Sequence, residues 1–265
     1  MKKSTFIHTA VLLLAAASLT AQNSGGTSKN VEEEVEYAKL NYKKQFYEDA
    51  FVIFEKYANL GHAESQSYLG AMYATGQGVN QDYQEALKWM RKAADQGFAE
   101  AQNNIGVMYE NGFGVEKNNA LAIQWFKKAS DAGYCEASYN MSIMYLSGSG
   151  VDMDKVESLR WLRRSAEQGC PNAQFKMGDA YHNGWYQLPR NGNEAIKWYR
   201  KAAEQGQPNA QYMMGYLCEN GELFGVDSDP FPKDYQKALQ WYKKAAVQGY
   251  APAQRVLQKL GESGW

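Results

Sequence analysis

Five tryptophans, Trp89, Trp125, Trp161, Trp198 and Trp241, recur at spacings of 36, 36, 37 and 43 residues. Two sets of glycines keep step with them. One is Gly61, Gly97, Gly133, Gly169, Gly206 and Gly249; the other is Gly70, Gly106, Gly178 and Gly215, with Ser142 in the remaining slot. A period near 36 residues is the length of a two-helix unit. Such a unit cannot bury its apolar face alone and must stack on copies of itself. The repeat therefore predicts an all-α protein, an α/α superhelical solenoid of tandem antiparallel helix hairpins.

One unit shows how the pattern folds. Ala101, Ile105, Met108 and Tyr109 occupy offsets i, i+4, i+7 and i+8, one face of a helix. Gly106 on that helix leaves room for a neighbour. The turns TGQGV (75–79), NGFGV (111–115) and SGSGV (147–151) follow the first helices, with glycines suited to tight reversal. Asp82, Asn118, Asp154, Asn191 and Asp234 stand where helix N-caps belong. Glu85, Glu157 and Glu194, three residues on, complete a capping-box pattern. The second helix carries Ala122, Ile123, Trp125, Phe126 and Ala129 and stops at Gly133. The tryptophan, alanine and glycine columns read as core.

The segments AEAQNNIGVMYENGFGV (99–115) and NNALAIQWFKKASDAG (118–133) resemble the Sel-one-like repeat (SLR), a relative of the tetratricopeptide repeat. Five full copies run over 62–97, 98–133, 134–169, 170–206 and 207–249. A degenerate repeat at 31–61 precedes them, its first helix acidic at Glu32, Glu33, Glu34 and Glu36, and a C-terminal capping helix falls in 250–265. Ser142 departs from the glycine column, Cys218 and Gly261 from tyrosine columns, and the fourth and fifth turns read NGWYQLPR and NGELFGVDSDPFP. The resemblance implies the solenoid fold and brings no catalytic residues. Glu222–Pro232, longer than its counterparts and holding two prolines, is expected to project as a loop that tolerates trimming.

Residues opposite the packing stripe of the first helices are free of packing duty, and the resemblance places that side in a concave groove. The groove candidates are Asn103, Val107, Glu110, Tyr139, Ile143, Phe175, Asp179, His182, Tyr212, Tyr216 and Glu219. Tyr139, Phe175, Tyr212 and Tyr216 form an aromatic strip, a surface suited to a protein or peptide segment. The competing reading has these rings packing against the next repeat.

No S-x-x-K, G-x-S-x-G, H-E-x-x-H or P-loop motif occurs. Three histidines and three cysteines offer little for a metal centre, so no metal and no cofactor are expected. The expected function is a non-enzymatic scaffold. The alternative is a weak β-lactam- or cell-wall-directed hydrolase or binder, an activity attributed to some exported relatives with regular cysteine-bridged hairpins, a pattern this chain lacks. Arg91-Lys92, Lys127-Lys128, Arg163-Arg164, Arg200-Lys201 and Lys243-Lys244 make a basic ladder near second-helix C-termini, which reads as a structural face rather than a nucleic-acid surface.

Residues 1–21 join Lys2 and Lys3 to an apolar stretch, Ala10–Leu19, too short for a membrane span. They read as a bacterial secretory signal, so the protein is expected to be exported, periplasmic or secreted, and monomeric. Gln22–Asn30 reads as a flexible lead-in. Export permits a disulfide, and Cys135 and Cys170, nearly one period apart at first-helix starts, are candidates for one. Cys218 reads as an inert core thiol.

Overall fold

The computed structural model describes residues 26–223 and 225–261. The expected signal segment lies outside them. Thirteen α-helices and no strands occur among the described residues. No helix among them is long and apolar enough to cross a membrane. The chain divides into two compact units, Met1–Gln96 and Gly97–Trp265.

The first unit holds α1 (Gly26–Lys43), α2 (Tyr47–Asn59), α3 (Ala63–Thr75) and α4 (Tyr83–Asp95), each packed on the next. The first helix begins at Gly26, so the second half of the expected flexible lead-in is helical. Phe54 stacks flat on Tyr68 at 4.6 Å between ring centroids, over buried Leu69 and Met72. The acidic face of α1 is tied down by cations: Glu34 pairs with Lys56, and Lys39 bridges Glu36 and Glu64.

The second unit holds α5 (Ala99–Asn111), α6 (Asn119–Asp131), α7 (Cys135–Ser147), α8 (Lys155–Glu167), α9 (Pro171–Asn183), α10 (Gly192–Glu204), α11 (Pro208–Asn220), α12 (Tyr235–Ala246) and α13 (Ala251–Lys259). A single 3-10 turn, Trp185–Gln187, follows α9. Helices pair as antiparallel hairpins, α5/α6, α7/α8, α9/α10 and α11/α12, with α13 on the last.

Local chemistry sets the helix ends where the sequence placed them. Asp82, Asn118, Asp154, Asn191 and Asp234 each accept a backbone N–H from the first turn of the second helix. Gly76, Gly112, Gly148, Gly184 and Gly221 close the first helices in the left-handed region, which a side chain would strain. The glutamates of the capping-box pattern are engaged by cations one turn on: Glu85 by Lys88, Glu157 by Arg160 and Glu194 by Lys197.

A glutamine clamp joins the two helices of a repeat. Gln96, Gln205 and Gln248, each just past a second helix, donate to the side-chain oxygens of Gln66, Gln174 and Gln211 at 2.7–2.9 Å. Those buried glutamines in turn donate to the carbonyls of Ala58, Ala166 and Ala203. Each clamp satisfies polar groups that burial would otherwise leave costly.

Two expectations need correction. The tryptophan column is not uniformly core. Trp89 is buried, but Trp125, Trp161, Trp198 and Trp241 are only partly so. Each carries a cation from its own helix over the ring: Lys92, Lys128, Arg164, Lys201 and Lys244 lie 3.7–5.3 Å from the respective centroids. The residue after the tryptophan goes deeper, as Phe126, Leu162, Tyr199 and Tyr242 show. One member of each basic pair thus serves its own tryptophan. The long fifth turn, in turn, does not project. Leu223 is buried, and Val226 and Phe231 pack on the same cluster. Gly192 N–H donates to the Asp227 carbonyl, and Asn193 and Asp229 exchange two hydrogen bonds of 2.8 Å. This loop covers the start of α10.

Candidate functional site

The site begins with what the column glycines do. A Cβ at Gly106, Gly178 or Gly215 would lie 2.5–2.7 Å from the ring of Phe126, Tyr199 or Tyr242. Glycine is there because the second helix presses an aromatic ring onto the first. The α7/α8 hairpin breaks the pairing on both sides: Ser142 replaces the glycine and Leu162 the ring. The serine is absorbed locally, its hydroxyl donating to the Tyr139 carbonyl while Ser158 donates to the Ser142 carbonyl.

A cleft of about 480 Å³ opens beside this pair. Ser142 and Leu162 line it, with Tyr139, Ile143 and Leu146 from α7. Trp185 and Tyr186 of the fourth turn line it too, with Lys155 and Lys176. Ile143, Leu146 and Trp185 are 42%, 40% and 46% exposed, a concentration of apolar surface that water does not favour. Tyr186 and Gln187 hold φ of 57° and 62°, a conformation costly for non-glycine residues. Packing of Tyr186 against the cluster around Leu162 and Met177 holds the turn in place. Burial pushes the Tyr186 hydroxyl above its usual pKa. Lys176 Nζ sits 5.4 Å from the Phe175 centroid and 5.9 Å from that of Trp185, and 3.4 Å from Asp179.

Next along, α9 and α10 build a polar cluster. Tyr199 Oη donates to Asp179 Oδ1 at 3.0 Å and lies 3.1 Å from His182 Nδ1. Because the Tyr199 hydroxyl spends its one proton on Asp179, the His182 contact is made by Nδ1–H donating to Tyr199. Burial raises the Asp179 carboxyl above the ordinary aspartate value, against the lowering effect of the Tyr199 hydrogen bond and Lys176. Burial and the neighbouring Asp179 both push the Tyr199 phenol upward. The next hairpin repeats the motif, Tyr242 donating to Glu219 at 2.7 Å. The Tyr199 hydroxyl thus joins His182 and Asp179 across the two helices of the hairpin.

The groove candidates therefore separate. Tyr139 and Ile143 line the cleft. Phe175 packs on Tyr199, and Tyr212 sits between Tyr242 and Tyr250 at 5.5 and 5.6 Å. Asn103 is buried and accepts from Asn140; Val107 joins the apolar cluster around Phe126. Glu110 is half-buried, which raises its carboxyl pKa. Tyr216 is half-buried, with its carbonyl accepting from Asn220. Asp179, His182 and Glu219 are tied to the tyrosine hydroxyls. Leu162, Trp185, Tyr186, Lys155 and Lys176, which also line the cleft, are not among the groove candidates. The signal for them was present in the joint departure of Ser142 and Leu162 from their columns and in the altered fourth turn.

Cys135, Cys170 and Cys218 carry free thiols. The Cys135 and Cys170 sulfurs and a Glu136 carboxylate oxygen lie within 4.8 Å of one another. Burial, the Glu136 carboxylate and Cys170 all push the Cys135 thiol upward. Cys218 is buried, its thiol likewise raised by burial.

The Sel1 repeat family matches residues 63–98, 99–134, 135–170, 171–207 and 208–250. The chain belongs to the Sel1 repeat family. Each matched repeat starts at the first residue of an odd-numbered helix from α3 to α11. Among solved structures, the chain is similar to a Sel1 repeat protein from Oxalobacter formigenes, at 33% identity and TM-score 0.68, covering 85% of this chain and 89% of that one. It is also similar to a protective antigen present in uropathogenic Escherichia coli strains that displays an SLR fold, at 31% identity and TM-score 0.60, covering 90% of this chain and 50% of that one. An immunity protein from Pseudomonas aeruginosa shares the fold at 19% identity and TM-score 0.54, over 82% of this chain and 84% of its own. No curated protein matches the chain. Sel1 repeat proteins are generally interaction scaffolds rather than catalysts. In this one, four Sel1 repeats keep the small-residue-and-partner packing, and the third trades it for an apolar cleft.

Proposed function

We propose that this Sel1 repeat protein is a non-enzymatic scaffold that binds a peptide segment of a partner protein at the cleft between α7, α8 and the fourth turn. The single observation that carries the reading is the cleft itself, apolar where a ring is missing and edged by two lysines. Tyr139, Ile143, Leu146 and Trp185 offer contact area for an aromatic or aliphatic anchor residue. Lys155 and Lys176 favour an acidic neighbour to that anchor. The reading includes export, supported by Lys2, Lys3 and the apolar stretch Ala10–Leu19, and action as a monomer.

The test is fluorescence anisotropy with labelled peptides that place one aromatic residue beside glutamate, glutamine or lysine. The glutamate peptides should bind best, and more weakly as salt rises. Trp185→Ala should weaken binding by about 2 kcal/mol, roughly thirtyfold, at an unchanged melting temperature. Equal affinity of wild type and Trp185→Ala would move the site elsewhere. Turnover of a chromogenic β-lactam by the wild type would overturn the non-enzymatic reading.

A further inference from the structure

At the far end of α7 from its glycine cap, two residues depart from the repeat and meet. The first residue of a first helix is Ala63, Ala99, Pro171, Pro208 or Ala251 in the other hairpins and the capping helix, but Cys135 here. The residue before a first helix is His62, Phe98, Tyr134, Gln207 or Tyr250, but Cys170 in the fourth repeat. Sister repeats hold alanine and tyrosine in the same places, so neither position requires a thiol, although here Cys170 is buried in the cluster with Leu162 and Met177 and Cys135 packs against it. One lies on each of two successive first helices, so stacking brings them together.

With Glu136 they make a group of three ligand atoms, all within 4.8 Å of one another. Cys170 is buried and Glu136 exposed, so the group has an inner and an outer side. The Cys170 side chain makes no capping hydrogen bond to α9. Ser165 donates to the Cys135 carbonyl at 2.7 Å, which fixes the backbone that carries one ligand.

We propose that Cys135, Glu136 and Cys170 bind a thiophilic divalent cation of the zinc class. Two thiolates select for such a cation over calcium or magnesium, and a carboxylate is an accepted third ligand. Zinc–sulfur bonds of about 2.3 Å and zinc–oxygen bonds of about 2.0–2.2 Å are reached by side-chain rotation from the observed spacing. Three protein ligands leave the fourth tetrahedral position for water or a partner's side chain. The cation links α7 to α9, the two helices that supply Tyr139, Ile143 and Lys176 to the cleft. The two thiol protons leave to solvent on binding, and no redox change is involved.

The experiment uses the chain without its signal segment, reduced with a phosphine and stripped with a chelator. Titration with Co(II) should give one equivalent bound, with sulfur-to-cobalt charge-transfer bands in the near ultraviolet and ligand-field bands of tetrahedral intensity. Zn(II) should displace it, protect the half-buried Cys135 from alkylation and raise the melting temperature. Cys135→Ala copies what sister repeats hold and Cys170→Ser keeps the buried volume, so both should fold, as melting curves check, and both should lose the bands. Glu136→Gln should weaken binding by about tenfold or more, and Cys218→Ser should leave it unchanged. Co(II) spectra that survive Cys135→Ala, or a Cys135 thiol alkylated as fast in excess Zn(II) as without it, would overturn the proposal. So would a Cys135–Cys170 disulfide that the phosphine does not open.

Discussion

The third hairpin and its two successors solve the same packing problem differently. In α9/α10 and α11/α12, glycine on the first helix receives a tyrosine ring from the second, and the hydroxyl passes through to a carboxylate: Tyr199 to Asp179, Tyr242 to Glu219. In α7/α8, serine faces leucine, no hydroxyl crosses, and an apolar cleft opens. The contrast teaches that the second-helix residue after the tryptophan decides the character of the opposite surface. A tyrosine fills the space and supplies a polar tip; a leucine leaves the space to something else. Surface character in such an array is set by core positions as well as by exposed ones.

The largest test of this contrast removes a ring. Tyr242→Ala should cost about 3–5 kcal/mol, because the ring is buried and its glycine partner cannot refill the space. Tyr242→Phe keeps the ring and loses only the bond to Glu219, at about 1 kcal/mol. Denaturant unfolding of the two variants measures both. Similar losses would mean the hydroxyl, not the ring, carries the position.

A smaller effect comes from rewriting the third hairpin in the image of its neighbours. Leu162→Phe alone should destabilise by about 1–3 kcal/mol, since the ring meets the Cβ of Ser142 where sister repeats have none. Adding Ser142→Gly should recover most of that loss and abolish peptide binding, because the ring then occupies the cleft. The coupling energy of the double-mutant cycle is the readout. Strictly additive effects would show that Ser142 and Leu162 do not trade places with a glycine–ring pair.

The repeat register, the five caps and the glycine stops were legible because each rests on residues within a few positions of one another. Asp154 caps α8 through contacts two and three residues away. The surface was less legible because it depends on residues from different elements. Tyr212 reads as exposed on a helical wheel, but α12 and α13 bring Tyr242 and Tyr250 against it. Tyr139 and Ile143, read from the helical wheel, line the cleft, yet the residue that opens it is Leu162, about twenty residues away on another helix. The fifth turn misled for a similar reason. Its prolines oppose helix, as read, but Leu223 and Phe231 supply a tertiary anchor that loop composition does not reveal.

The smallest effect concerns the carboxylate on which the fourth hairpin's tyrosine ends. Asp179 has a folded-state pKa above its unfolded value, because burial penalises its charge more than Tyr199, Lys176 and His182 relieve it. The folded state therefore holds the Asp179 proton to higher pH than the unfolded state does. The stability this contributes is fully present below the ordinary aspartate pKa of about 4 and is lost as pH rises through the raised value. Asp179→Asn removes this titration, so the wild type should lose stability relative to the variant as pH rises through that window. Tyr199→Phe sharpens the test, since it deletes a hydrogen bond that lowers the Asp179 pKa. The sensitive window should then reach to higher pH, while the ring stays against Gly178. Melting curves of the three proteins from pH 3 to pH 7 decide the point. Parallel curves for wild type and Asp179→Asn would mean that water reaches the carboxylate, and that the tyrosine hydroxyl caps an open groove rather than a buried acid.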